Sequence, residues 1–252
     1  MKKYILIVLA LLITLGAGLY FKTIYDEYSW RQEIEINSKI ERWKNSGSLN
    51  VILFKKSVKW GGFEDGAGPS LEHENWIVLG KSDLTSDDLH SWERGKSLTL
   101  AYSRAEGVML IDPSTNKFVR LLSMKSDHPI DSYLEQELDK PDASSTQGMV
   151  EAYDRATDLW ELEVKRLDDY ILSRKYFKGE IRDNYLKLQQ AREIYKELLC
   201  HVIGQSINFA PGGGTILRIE SGSVGYSTMK SLALHSMAMA QYADSFDSPG
   251  EL

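Results

Sequence analysis

Residues 144–177 read SSTQGMVEAYDRATDLWELEVKRLDDYILSRKYF, and within them Tyr153, Ala156, Trp160, Val164, Leu167 and Ile171 recur in steps of three and four. At 3.6 residues per turn these steps put the apolar side chains on one arc, which predicts a long amphipathic helix packed along one face. Gly179 interrupts the pattern. The stretch NYLKLQQAREIYKELLCHVI (184–203) then belongs to a second stripe of Ile181, Tyr185, Leu188, Tyr195, Leu198 and Val202. So short a break favours an antiparallel helical hairpin. Pro211-Gly212-Gly213-Gly214 stops regular structure again, and a Met- and Ala-rich segment over Ser227–Asp244 predicts a third helix.

Upstream the period changes. Short runs rich in branched and aromatic residues predict strands over Leu49–Phe54, Asn75–Gly80, Ser97–Tyr102, Gly107–Asp112 and Phe118–Ser123. Asp112-Pro113-Ser114-Thr115-Asn116 is a hairpin turn joining the last two. Trp60-Gly61-Gly62 through Pro69-Ser70 reads as a glycine-rich loop, and Leu84–Arg94 as a short helix capped by Thr85 or Ser86. His128-Pro129-Ile130-Asp131 opens a helix reaching Leu138, and Lys140–Ser145 is a linker. The expected class is α+β: an N-terminal transmembrane helix, a small mostly antiparallel β domain, and a C-terminal helical hairpin plus third helix. The expected boundaries are 1–25 for the anchor or signal, 26–47 for a stalk helix carrying Trp30, Ile34, Ile40 and Trp43, and 48–127 for the β-rich domain. The helical domain takes 128–244 and a tail takes 245–252.

The compartment is read from the N-terminus. Lys2 and Lys3 precede a run without charge, Tyr4 to Phe21. Its 18 residues, at about 1.5 Å each, span roughly 27 Å, close to the hydrocarbon thickness of a bilayer. With the lysines inside, Tyr20, Phe21, Tyr25, Tyr28 and Trp30 fall at the outer interface as an aromatic belt. This predicts a single-pass protein of the bacterial inner membrane with its bulk in the periplasm. The alternative is secretion to the periplasm after cleavage near Gly16-Ala17-Gly18.

The chain has 252 residues, 42% of them apolar, and a formal net charge of −6, which excludes nucleic-acid binding by bulk electrostatics. Residues 145–252 hold 12 basic against 15 acidic side chains, so half of that charge lies in the helical region. Cys200 is the only cysteine, which rules out an intrachain disulfide and makes it a buried small hydrophobe on the second helix. His73, His90, His128, His201 and His235 lack any metal-ligand spacing and read as solvated or capping residues. Asp158, Glu161, Glu163, Asp168 and Asp169, interleaved with Lys165 and Arg166, read as the solvated face of the first helix rather than an acid–base pair. Gly212-Gly213-Gly214-Thr215 lacks the lysine of a phosphate loop and reads as a turn between helices. Short-sided and free in φ, these four residues are the candidate partner-binding site. No catalytic, cofactor or metal site is expected.

Several of these pieces together resemble the LprI-like lysozyme-inhibitor domain family of extracytoplasmic bacterial proteins. They are His128–Asp131 (HPID), Ser145–Met149 (STQGM), Ala156, Trp160-Glu161-x-Glu163, Leu167, Tyr170, Leu186-Lys187…Gln190 and Gly214-Thr215. The resemblance covers residues 128–242. It departs from the family at Tyr153, where a helix-one cysteine is usual, and at Glu193–Glu197, where a Trp and an Arg-Asp pair are usual. It also departs in the last helix, which lacks the usual Thr and Arg. The resemblance implies inhibition of a lysozyme-type cell-wall hydrolase; with the N-terminal reading, the expectation is a membrane-anchored periplasmic binding protein without enzymatic activity. The alternative is a non-inhibitory envelope structural or accessory protein, or an immunity protein against a toxin. In either case the expected partner is a protein.

Overall fold

The computed structural model describes residues 34–64, 68–71, 75–82, 86–124, 127–175, 177–209 and 214–247. The predicted anchor, the aromatic belt, His73, Thr85, Gly212, Gly213 and residues 248–252 of the tail lie outside them. Among the described residues no helix is long and apolar enough to cross a membrane. The chain forms two compact units, Met1–Ser46 and Gly47–Leu252. In the first, residues 34–45 are helical (α1), with a Lys39–Glu35 ion pair at 3.3 Å.

The second unit starts with a closed barrel of six strands: β1 (Ile52–Glu64), β2 (Gly68–Leu71), β3 (Asn75–Ser82), β4 (Ser97–Ser103), β5 (Gly107–Ile111) and β6 (Phe118–Met124). The order around it is β1-β2-β3-β6-β5-β4, and every neighbouring pair is antiparallel. A five-residue helix, α2 (Ser86–His90), joins β3 to β4 and is shorter than the expected Leu84–Arg94.

Two expectations are corrected here. β1 does not stop at Phe54, and Trp60–Glu64 and Gly68–Ser70 are strand rather than loop. Phe54 and Trp60 point into the core while Lys55, Ser57 and Lys59 face out, a period of two that continues the strand. β1 pairs with β4 up to Lys59 and with β2 from Trp60, bending at a bulge between Trp60 and Gly62. The glycines make that corner. Gly62 has φ +99°, and a Cβ on Gly61 would press on the Ser70 and Leu71 carbonyls of β2. Glycines that look like loop punctuation therefore close a barrel, which removes the exposed strand edges.

The Asp112–Asn116 hairpin turn forms as expected. Asp112 Oδ1 accepts from Ser114 N at 2.9 Å and Ser114 Oγ at 2.6 Å, and Asn116 takes φ +58°. Burial alone would raise the Asp112 carboxyl, but bonds from Lys96 and Ser114 overcome it and bring the pKa to about 2.

The helices follow: α3 (Pro129–Leu138), a 3₁₀ turn (Pro141–Ser144), α4 (Thr146–Ser173), α5 (Glu180–Phe209) and α6 (Gly214–Asp247). Ser145 caps α4 by accepting from Gly148 N at 3.0 Å. Gly148 itself lies so close to the 3₁₀ turn that an added Cβ would overlap the Asp142 carbonyl. Gly148→Ala is therefore expected to cost about 1–3 kcal/mol by overpacking, where alanine in an open helix position would stabilise; a urea midpoint at or above wild type would contradict this. α3 lies on β1 and β4, and α6 on β6. Barrel and helices share one hydrophobic cluster, from Trp60, Leu100 and Leu110 through Ile130 to Trp160, Leu167 and Met237.

The α4 stripe packs as predicted, with Ala156, Trp160, Val164, Leu167 and Ile171 buried. The third helix is longer than expected, starting at Gly214 rather than Ser227. Gly222 does not break it, because its missing side chain lets α6 settle against Tyr153 of α4. Gly222 beside Tyr153 and Ser236 beside Asp168 show α6 running parallel to α4. α5 runs antiparallel, with Arg192 at Asp168 and Lys196 at Glu161.

The α5 stripe is the main departure. Of its six residues only Tyr185 is buried; Ile181, Leu188, Tyr195, Leu198 and Val202 are 60, 44, 55, 59 and 58% exposed. Through the buried small residues Ala233, Ala240 and Ala243, α6 packs as the principal neighbour of α4 and occupies its apolar face. α5 is instead held by long polar side chains reaching inward from its other face.

Candidate functional site

Buried ionisable groups collect where the elements join. The first cluster surrounds α3. His128 Nδ1 accepts from Ile130 N at 3.2 Å, capping the helix, so the neutral ring carries its proton on Nε2. The ring lies 4.2 Å from that of Trp160, and Nε2 is buried with no hydrogen-bond partner among the described residues. Burial, reinforced by the charges of Lys230 and Arg166, pushes the imidazole down to about 3. Beside it, Asp131 accepts from Tyr226 Oη and, at 2.8 Å, from Lys230 Nζ. Burial and the bond to Asp131 raise the Tyr226 phenol.

The second cluster ties the barrel to α4. Glu163 is 1% exposed and pairs with Arg166, whose Nη2 donates to the Arg104 carbonyl at 2.9 Å. Tyr102 of β4 donates to the Leu159 carbonyl of α4 at 3.3 Å. Burial raises both Glu163 and Tyr102, with Arg166 offsetting part of each shift. Gly107, at φ +74°, leaves the room that the Arg166 guanidinium fills.

The third cluster joins the three long helices. Arg192 donates to Asp168 Oδ1 and Oδ2 at 2.9 and 2.7 Å, Tyr185 Oη to Oδ1 at 2.5 Å, and Ser236 Oγ to Oδ1 at 3.2 Å. The guanidinium also reaches Ser236 Oγ at 2.5 Å. Every polar group in this set has a partner, the condition under which a buried charge is tolerated.

The predicted solvated face of α4 is thus corrected in part. Asp169 is exposed and pairs with Lys165 at 3.4 Å, but Glu163 and Asp168 are buried inside ion pairs. The signal is present in the spacing: Glu163 lies three residues after Trp160 and four before Leu167, and Asp168 four after Val164 and three before Ile171, so both border the apolar arc. Asp131, Arg192, Tyr226 and Ser236 carried no such signal, since their partners lie on distant segments. Of the histidines, His128 caps as expected, while His90, His201 and His235 are exposed. No group of three or more ligating side chains could hold a metal among the described residues. Cys200 lies on α5. Of the candidate contact residues, Gly214 and Thr215 form the first turn of α6.

The His128 geometry has a pH consequence. The unfolded imidazole titrates near 6.5 and the folded one near 3, so the unfolded chain binds the extra proton between these values. This contribution is complete above pH 6.5 and is lost as pH falls towards 3. Urea midpoints are expected to drop from pH 7 to pH 4, and to drop less in His128→Asn, which keeps a capping oxygen. Equal acid sensitivity in both proteins would contradict this.

No family model, curated protein or solved structure matches the chain.

Proposed function

We propose that this chain is a membrane-anchored, periplasm-facing binding protein without enzymatic activity, built on a frame like that of the LprI-like lysozyme inhibitors. Its partner is a basic cell-wall hydrolase of the lysozyme type. The observation that carries this reading is the work done by the residues behind the resemblance. His128 caps α3 and lies against the Trp160 ring, Ser145 caps α4, Gly148 makes the tight contact to the 3₁₀ turn, and Trp160 is 0% exposed. These are frame residues, so likeness at these positions speaks for a like scaffold. The buried carboxylates Glu163 and Asp168 are closed in internal pairs, which suits a scaffold better than a reaction centre. The net charge of −6 would speed encounter with a basic enzyme at low salt.

The test is lysozyme turnover of cell walls with and without the full chain, at low and high ionic strength. Saturable inhibition that weakens with salt is expected. Unchanged turnover at both salts would favour the second reading, a non-inhibitory envelope accessory or immunity protein. The exposed apolar run on α5 favours that reading, since such a face suits assembly.

A further inference from the structure

The exposed residues of α5 keep a strict spacing. Ile181, Leu188, Tyr195 and Val202 are seven apart, and Ala191 and Leu198 fall three residues after Leu188 and Tyr195. The a positions are apolar over three heptads and the d positions over the central two, a stripe about 32 Å long. All six residues are exposed, while Tyr185 and Arg192, at the e positions, are buried against α4 and α6. α5 therefore has two working faces: one bound into the unit through polar side chains, the other apolar and turned outward.

The outward face is complementary to itself in reverse. Laid antiparallel on a second α5, Leu188 meets Leu198, and the small Ala191 lies opposite the large Tyr195, twice by symmetry. Alternating small and large residues across the seam is how facing helices interdigitate. Ile194, 44% exposed at a g position, meets its own copy near the twofold axis. A parallel arrangement would instead bring g residues towards e positions that are already buried.

We infer that α5 is a homodimerisation helix, pairing antiparallel with the α5 of a second copy through Leu188, Ala191, Tyr195 and Leu198. The contact is isologous and closes on itself. It is independent of which protein the monomer binds, and its test reads no hydrolase activity.

The full chain, in detergent micelles that hold its N-terminal segment, is examined by sedimentation equilibrium. A dimer is expected, and Leu188→Glu/Leu198→Glu should raise its dissociation constant at least about tenfold, equivalent to about 1.4 kcal/mol, with an unchanged circular dichroism spectrum. With Cys200→Ser as background, Ile194→Cys should cross-link to itself on mild oxidation. Leu188→Cys should link only to a chain carrying Leu198→Cys. A monomer at all concentrations, a dimer indifferent to Leu188→Glu/Leu198→Glu, or self-linking of Leu188→Cys would overturn the inference. So would a monomer in which a label at residue 194 becomes protected only when lipid vesicles are added, because the face would then be covered by membrane.

Discussion

Asp168→Ala is expected to lower the free energy of unfolding by about 3–5 kcal/mol, because it leaves the Arg192 guanidinium buried without its counter-charge. Both side chains are nearly closed to water, at 12% and 9% exposure. The carboxylate also accepts from Tyr185 and Ser236, so its loss breaks four hydrogen bonds and strands three donor groups rather than one. The attraction itself need not stabilise the fold. Asp168→Leu with Arg192→Met, which removes both charges and keeps volume, is expected to be near neutral. Urea unfolding followed by circular dichroism checks both. A single variant costing less than about 1 kcal/mol, the range of exposed pairs, would mean that water enters the cluster. The cost should also be local in character, because α5 depends on this cluster more than on apolar packing. Its amides are therefore expected to lose hydrogen-exchange protection before those of α4.

Trp160→Ala is expected to be comparably damaging, at about 3–5 kcal/mol, since it empties the largest site in the middle of the α4 stripe. Trp160 is 0% exposed and its ring is 4.2 Å from that of His128. The cavity should admit water to the imidazole. Its pKa should then rise from about 3 towards the ordinary value, so the variant should lose less further stability on acidification than wild type. Trp160→Phe, which keeps an aromatic ring, should recover more than half of the loss. The readout is the urea midpoint at pH 7 and at pH 4. An alanine variant with a wild-type midpoint would contradict the packing described.

The parts of this fold readable from sequence are those set by local chemistry. The period of the α4 stripe, the Asp112–Asn116 turn and the His128-Pro129 helix start depend on residues within a turn or two, and all three form as expected. The strands β3 to β6 fall close to their predicted ranges for the same reason. What was not legible depends on partners far along the chain. Gly61 and Gly62 look like a loop unless β2 is known to pass beside them. The α5 stripe has the same period as that of α4, and periodicity shows that a face is apolar without showing what covers it. α6, whose own pattern is less distinct, takes the place on α4 that α5 was expected to fill.

The candidate site divides in the same way. Gly214 and Thr215 read as a turn with backbone freedom, yet they begin a helix of 34 residues. The clusters at Asp131, Glu163 and Asp168 are assembled from segments dozens of residues apart; a charged residue on the apolar arc is the only trace of the last two in the sequence, and the first leaves none.

The proposal that this chain is a scaffold for binding a basic envelope enzyme is tested most directly by sedimentation velocity of the full chain mixed with a basic lysozyme. A faster-sedimenting complex is expected at low salt, shrinking steadily as ionic strength rises. Boundaries that remain those of the separate proteins at every salt concentration would contradict it.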